Sequence, residues 1–131
     1  MKKLIVLVSS LLLIVLMLFS FSSCSEVEMS TGEMLAVFRY GDVDITEQLS
    51  NEDAEIVKQI FIGKRLFSDS PSCGFGEDVA IIIDNKTYCI ACDYCPLIYI
   101  AQENKYLKLS DDENETLRNL LCKYGFTFPC V

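Results

Sequence analysis

Four β-strands are predicted by residues 79–109, which read VAIIIDNKTYCIACDYCPLIYIAQENKYLKL. The segment is rich in Ile, Val and Tyr, which favour strands, and short polar gaps divide it into pieces of strand length. The predicted strands are residues 79–83, 87–92, 97–101 and 106–109. Because each gap suits a hairpin, we expect these strands to form an antiparallel β-meander.

The residues before this segment add a further hairpin and a helix. Two short strands, residues 35–40 and 43–46, are predicted on either side of a Gly-Asp turn. Residues 50–53, SNED, are typical of a helix start, with a serine N-cap and acids in the first turn. Gly63 is predicted to end this helix. Its apolar face consists of Ala54, Ile56, Val57, Ile60 and Phe61.

A second helix is predicted to begin at residues 110–113, SDDE, which form a capping box. Gly125 is expected at its C′ position. Its inner face consists of Leu117, Leu120 and Leu121, and we interpret Asp111, Asp112, Glu113 and Glu115 as helix-start acids rather than calcium ligands. Two helices packed on one antiparallel sheet give an α+β fold, and the chain length allows one small domain.

An export signal is predicted at the N-terminus. Lys2 and Lys3 precede an apolar run, and the run closes with FSSC at residues 21–24. This layout resembles a bacterial lipoprotein signal peptide with its lipobox, although Phe21 stands where a leucine-like residue is usual. The resemblance implies a cleaved signal at residues 1–23, an acyl (palmitate-type) lipid on Cys24, and a position on the extracytoplasmic face of the cell membrane. An uncleaved anchor and ordinary secretion remain alternatives, since about 20 apolar residues span a bilayer.

We therefore predict three parts: the signal at residues 1–23, a lipid-anchored polar tether at residues 24–33, and the α+β domain at residues 34–131. An extended tether over residues 25–32 reaches roughly 25–30 Å at about 3.3–3.6 Å per residue.

Charge and composition exclude several function classes. The net charge is −8, and removing Lys2 and Lys3 with the signal lowers it to −10. Such a chain repels phosphate backbones, so no nucleic-acid partner is expected, and membrane attachment must come from the lipid at Cys24. The chain has no histidine, which excludes Ser-His and Cys-His nucleophile pairs and imidazole-ligated metals. We predict no catalytic residue, no cofactor and no metal site.

The cysteines carry the remaining chemical information. Outside a reducing cytoplasm, an even number of cysteines in a small domain favours structural disulfides, and six cysteines allow 15 pairings. The chain reversal near Gly125 favours a Cys122–Cys130 pair, and Cys73 is then expected to bond within residues 89–95. The six candidates are Cys73, Cys89, Cys92, Cys95, Cys122 and Cys130. Tyr94, beside Asp93 in this cysteine-rich segment, is expected to be exposed.

An alternative interpretation concerns Cys89, Cys92 and Cys95. Their spacing, with proline following, resembles the start of a ferredoxin cluster motif, but Tyr99 occupies the position of the fourth cysteine. Zinc or copper(I), with Cys73 as the fourth ligand, is a related alternative, and so is a redox-active Cys92–Cys95 pair. Residues 34–131 match no family of known function. The expected function is a non-catalytic cell-surface module that binds a protein or small ligand; the alternative is a redox or metal-thiolate protein.

Overall fold

A computed structural model describes residues 25–30 and 32–130. These residues form a single α+β domain in which a six-stranded antiparallel sheet, in the order β2-β1-β3-β4-β5-β6, carries two helices. The predicted fold class is therefore confirmed. The elements in chain order are β1 (Met34–Tyr40), β2 (Val43–Gln48), α1 (Asn51–Phe61), β3 (Val79–Ile83), β4 (Lys86–Ile90), β5 (Leu97–Ile100), β6 (Lys105–Lys108) and α2 (Asp111–Cys122).

The hairpin turns set the register of the sheet. Asp84 and Asn85 have φ of 50° and 63°, and Ile83 pairs with Lys86 on either side of them. Positive φ at both central residues is the signature of a type I′ turn, whose twist matches that of the flanking strands. The sheet departs from a simple meander at β1, which lies between β2 and β3. The connection from β2 to β3 contains α1 and the following loop.

Both helices pack on one face of the sheet. Phe61 of α1 stacks on Tyr88 of β4 with ring centroids 5.3 Å apart, and Leu117 and Leu121 of α2 are fully buried in the same core. Serine caps begin both helices as predicted, and the capping box of α2 is complete. After α2, the Gly125 N–H donates to the Cys122 carbonyl and the next N–H donates to the Leu121 carbonyl, the two hydrogen bonds of a Schellman motif.

The long loop at residues 62–78 covers the second face of the sheet. Phe75 in this loop contacts Tyr99 and Tyr106, with ring centroids 5.9 Å and 5.7 Å away. Tyr99 pairs with Cys89 in the neighbouring strand, so both side chains lie on this second face. Cys89 is 1% exposed. The loop thus gives the sheet a second, smaller apolar layer.

The first described residues pack on the domain. The Val27 N–H donates to the Lys64 carbonyl, the Leu66 N–H donates to the Ser25 carbonyl, and the Val27 side chain is buried. The Ser30 hydroxyl donates to Asp84 at 2.7 Å. A free tether was expected across this segment, and that expectation is wrong for residues 25–30, because a buried valine and these hydrogen bonds hold them on the domain.

The predicted signal at residues 1–23 and the predicted lipidation site Cys24 lie outside the described residues. Within residues 25–30 and 32–130, no helix has both the length and the apolar character needed to cross a bilayer.

Candidate functional site

Four of the candidate cysteines form two disulfides. Cys73 bonds to Cys95, with Cα atoms 6.5 Å apart, and this partner lies within the predicted segment 89–95. Cys92 bonds to Cys130, with Cα atoms 4.9 Å apart. The first bridge ties the loop that covers the second sheet face to the β4–β5 connection. The second bridge ties the C-terminal tail to the same connection.

The predicted Cys122–Cys130 pair is wrong. The Gly125 turn does reverse the chain after α2, but the tail then crosses to the β4–β5 connection, where the Cys130 N–H donates to the Cys92 carbonyl at 3.3 Å. Cys122 stays on the surface of α2 as an exposed thiol, and Cys89 is a second, buried thiol.

The structure does not bring Cys89, Cys92 and Cys95 together as one thiolate cluster. Cys92 and Cys95 bond to different distant cysteines, and Cys89 lies on the opposite sheet face from the helices. Burial raises the pKa of the Cys89 thiol to about 11, so it is protonated and unreactive at neutral pH. Among residues 25–30 and 32–130, no three Cys, Asp or Glu side chains are grouped to hold a metal ion.

A cleft of about 450 Å³ runs along the exposed side of α2. The helix supplies one wall, and the β4–β5 connection and the C-terminal tail supply the other through Tyr94 and Phe128. Both of these segments carry cysteines of the two disulfides, so the cleft is bounded by covalently fixed chain. This volume falls within the range of about 300–1,000 Å³ that is common for small-molecule sites.

Arg118 of α2 lies at the base of this cleft and is only 4% exposed. Its Nε–H donates to Asn114 Oδ1 at 3.0 Å, and its two terminal nitrogens donate to the carbonyls of Ala91 at 3.1 Å and Cys95 at 3.2 Å. Asn114 in turn donates to the Tyr94 carbonyl at 3.2 Å. These bonds fix the guanidinium in one orientation and hold the β4–β5 connection against α2.

Aromatic rings flank the Arg118 guanidinium. Its central carbon lies 4.7 Å from the ring centroid of Phe128 and 5.5 Å from that of Tyr94, both within cation–π range. Burial lowers the pKa of Arg118, while the nearby Asp93 acts in the opposite direction. An arginine remains charged at neutral pH despite such a shift. Among the ion pairs of the described residues, none includes Arg118.

The rim of the cleft carries the opposite charge. Asp111 and Glu115 lie on the same side of α2 as Arg118, and both are exposed. Positions 111, 115 and 118 follow the helical repeat, so their side chains form one stripe. Asn119 and the Cys122 thiol complete the helical wall. The cleft therefore has a cationic base and an anionic rim.

Arg118 and Phe128 were not predicted from the sequence as parts of a site. Tyr94 is exposed, as expected, but Asp111 and Glu115 were interpreted only as helix-start acids. A usable signal was present in α2, where the polar pair Asn114 and Arg118 is spaced by four residues and flanks the buried leucines of the inner face. Polar residues inside an apolar stripe need partners, and here the partners are the carbonyls of the β4–β5 connection.

No protein-family model, no curated protein and no solved structure matches this chain. Its function is therefore inferred from its own residues.

Proposed function

We propose that this protein is a lipid-anchored binding module of the extracytoplasmic face of the cell membrane, and that the cleft along α2 is its binding site. The observation that carries the proposal is the cleft itself, with its buried guanidinium and its walls held by two disulfides. A site whose shape is fixed before the ligand arrives loses little conformational entropy on binding.

The proposed location agrees with the cysteine chemistry. Disulfides persist in oxidising compartments and are rare in a reducing cytoplasm. Both bridges of this domain hold segments next to the cleft. In this proposal the lipoprotein-like signal at residues 1–23 supplies the route to such a compartment, and the lipid on Cys24 supplies the attachment to the membrane.

The cleft favours binding over catalysis. Its ionisable groups among the described residues are Asp111, Glu115, Cys122, Tyr94 and Arg118. A nucleophile needs an adjacent base or a strongly lowered pKa to act at neutral pH, and the sequence contains no histidine to serve as that base. Arg118 is suited to hold an anion, and the aromatic rings are suited to cover an apolar ligand surface.

Site-specific crosslinking tests this proposal on the full chain in its native membrane. A photoreactive amino acid at Asn119, an exposed residue in the cleft wall, is compared with the same amino acid at Gln59, an exposed residue of α1 outside the cleft. Mass analysis of the crosslinked protein detects both small ligands and protein partners. We expect a discrete adduct at Asn119 and none at Gln59. Equal labelling at the two positions, or none at Asn119, would contradict the proposal.

The redox or metal-thiolate alternative at Cys89, Cys92 and Cys95 predicts a different thiol content. The disulfides of the structure leave Cys89 and Cys122 as the alkylatable thiols of the domain when the full chain is unfolded without reductant. Peptide mapping after alkylation and metal analysis of the same sample separate the two hypotheses. Bound metal together with alkylated Cys92 and Cys95 would favour the alternative and overturn a purely structural role for these bridges.

A further inference from the structure

We propose that the α2 cleft binds a small zwitterion, an amino acid or short peptide, with the ligand's carboxylate on Arg118 and its ammonium group at the Asp111 and Glu115 rim. This inference rests on the proposed binding function and assigns the chemical class of its ligand. It follows from the hydrogen-bonding capacity of Arg118, from the absence of an ion pair to Arg118 among the described residues, and from the order of charges along α2.

Arg118 lines the cleft and retains unused hydrogen-bond donors. A guanidinium carries five N–H groups, and the structure uses three of them, one on each nitrogen. One N–H therefore remains on each terminal nitrogen. The planar arrangement of such donors matches the two oxygens of a carboxylate.

The charge of Arg118 is not neutralised by an ion pair among the described residues. The acceptors that it contacts are an amide oxygen and two backbone carbonyls, which are neutral. Asp93 acts on Arg118 from nearby but forms no ion pair with it. A buried charge without an opposite charge in contact is costly, and an anion arriving in the cleft would lower that cost. The Tyr94 side chain above the guanidinium is 68% exposed, so it can change rotamer to admit a ligand without disturbing the core.

The rim selects against a plain anion. Asp111 and Glu115 are acidic, as is the protein as a whole, so phosphate or a dicarboxylate would be repelled on approach. A ligand with an ammonium group gains attraction at the same residues. Along the helix axis, Glu115 lies about 4.5 Å and Asp111 about 10.5 Å from Arg118, at a rise of about 1.5 Å per residue. This spacing fits the two ends of a small zwitterion.

Protection of Cys122 measures occupancy directly. This exposed thiol lies in the cleft wall, whereas Cys89 is buried and should stay unlabelled as long as the domain is folded. The probe is tri-alanine, offered to the folded full chain at up to about 10 mM, above the millimolar Kd of weak ligands. The C-terminal amide of tri-alanine lacks the carboxylate charge, and its N-acetyl derivative lacks the ammonium charge. Free alanine tests a shorter zwitterion. We expect slower Cys122 alkylation with free-ended tri-alanine or alanine, and little slowing with the amide.

Substitutions in α2 test where the two charged ends of the bound peptide lie. Arg118→Lys keeps the charge but loses the planar donor pair, and we expect about tenfold weaker protection. Asp111→Asn is compared with Asp112→Asn, which lies in the same helical turn but outside the cleft wall. We expect Asp111→Asn to weaken binding of the free-ended peptide several-fold without affecting the N-acetyl peptide, and Asp112→Asn to change neither.

The outcomes separate this inference from the proposed function. If no free-ended probe slows alkylation, or if amide and acid protect equally, the zwitterion assignment is overturned. Crosslinking at Asn119 would still decide whether the cleft binds something else. The amide comparison uses the unmodified protein, so it remains decisive even if Arg118→Lys does not fold.

Discussion

Gly125 ends α2 in a conformation that side chains rarely tolerate, with φ of +89°. A Cβ at this position would also lie 2.7 Å from Cδ1 of Ile45 on β2. Left-handed backbone costs a non-glycine residue roughly 1–2 kcal/mol, and displacing the Ile45 side chain adds to that. We expect Gly125→Ala to lower the free energy of unfolding by about 2–3 kcal/mol, as measured by urea denaturation.

Gly63 provides the matched control for Gly125. It has φ of +71°, but no atom lies within 4 Å of the place that a Cβ would occupy. We therefore expect Gly63→Ala to lower the free energy of unfolding only by the cost of left-handed backbone, about 1–2 kcal/mol. If the two substitutions destabilise the domain equally, Ile45 does not constrain the turn after α2.

Asp53 links the start of α1 to the end of α2. The Tyr124 hydroxyl donates to Asp53 Oδ2 at 2.7 Å and accepts from the Ser50 N–H at 2.9 Å, and Lys123 donates to the other carboxylate oxygen at 3.0 Å. The hydrogen bond from Tyr124, aided by Lys123 and Ser50 and opposed by burial, lowers the pKa of Asp53 below its ordinary value of 3.8. Its stabilising effect is therefore complete above pH 3.8 and is lost as the pH falls through the lowered pKa.

Tyr124→Phe removes the hydrogen bond that contributes most to the lowered pKa of Asp53. We expect it to lower the free energy of unfolding at neutral pH by about 1–3 kcal/mol, because a charged hydrogen bond is lost. The difference from the unaltered protein should shrink as the pH falls from 3.8 through the lowered pKa of Asp53, because the carboxylate then becomes protonated in both proteins. Urea denaturation across this pH range measures both effects. Tyr40→Phe, at a tyrosine that is 41% exposed, is the control, and a similar pH dependence there would exclude Asp53 as the source.

At the scale of elements, the Cys73–Cys95 disulfide holds the 62–78 loop on the second sheet face, above Cys89. Replacing both cysteines by serine should lower the free energy of unfolding by about 3 kcal/mol, typical for a loop of this size. Because the loop is then released, Cys89 should become alkylatable in the folded domain. Thiol labelling followed by peptide mapping measures its exposure.

The Cys92–Cys130 bridge serves as the comparison. Serine at both of these positions should also reduce stability, but it frees the C-terminal tail rather than the loop above Cys89. Cys89 should then remain protected. Protection of Cys89 in both double variants would mean that the aromatic contacts and backbone hydrogen bonds of the loop hold it without the disulfide.

The elements were predictable because their signals are local. Segments rich in Ile, Val and Tyr, divided by polar gaps, located the strands of residues 79–109, and the serine caps located the starts of both helices. The disulfide pairing, in contrast, depends on contacts between segments that are distant in the sequence. Cys122 and Cys130 are near in sequence, but the C-terminal tail crosses to the β4–β5 connection, where Cys130 bonds to Cys92. The cleft was missed for the same reason, since Arg118 acquires its carbonyl partners only when the connection folds against α2.

At the scale of the whole molecule, the packing of residues 25–30 changes the expected relation to the membrane. Ser25 accepts a hydrogen bond from Leu66 through its carbonyl and one from Lys105 through its hydroxyl at 2.9 Å. Ser25 follows the proposed lipidation site directly. If Cys24 carries the lipid, no length of free chain separates the described domain from the anchor, and the domain lies against the membrane surface.

Fluorescence energy transfer tests this arrangement with a donor dye on Cys122, the exposed thiol of the domain, and an acceptor dye in the lipid of vesicles that carry the full chain. We expect efficient transfer in the unaltered protein. Inserting about ten Gly-Ser residues between Cys24 and Ser25 adds a flexible spacer whose end-to-end distance is roughly 15–20 Å, so transfer should fall. The Cys24→Ser chain should show neither lipid labelling nor transfer. Retained lipid labelling of that variant would refute the anchor at Cys24, and unchanged transfer after the insertion would refute the close approach of the domain.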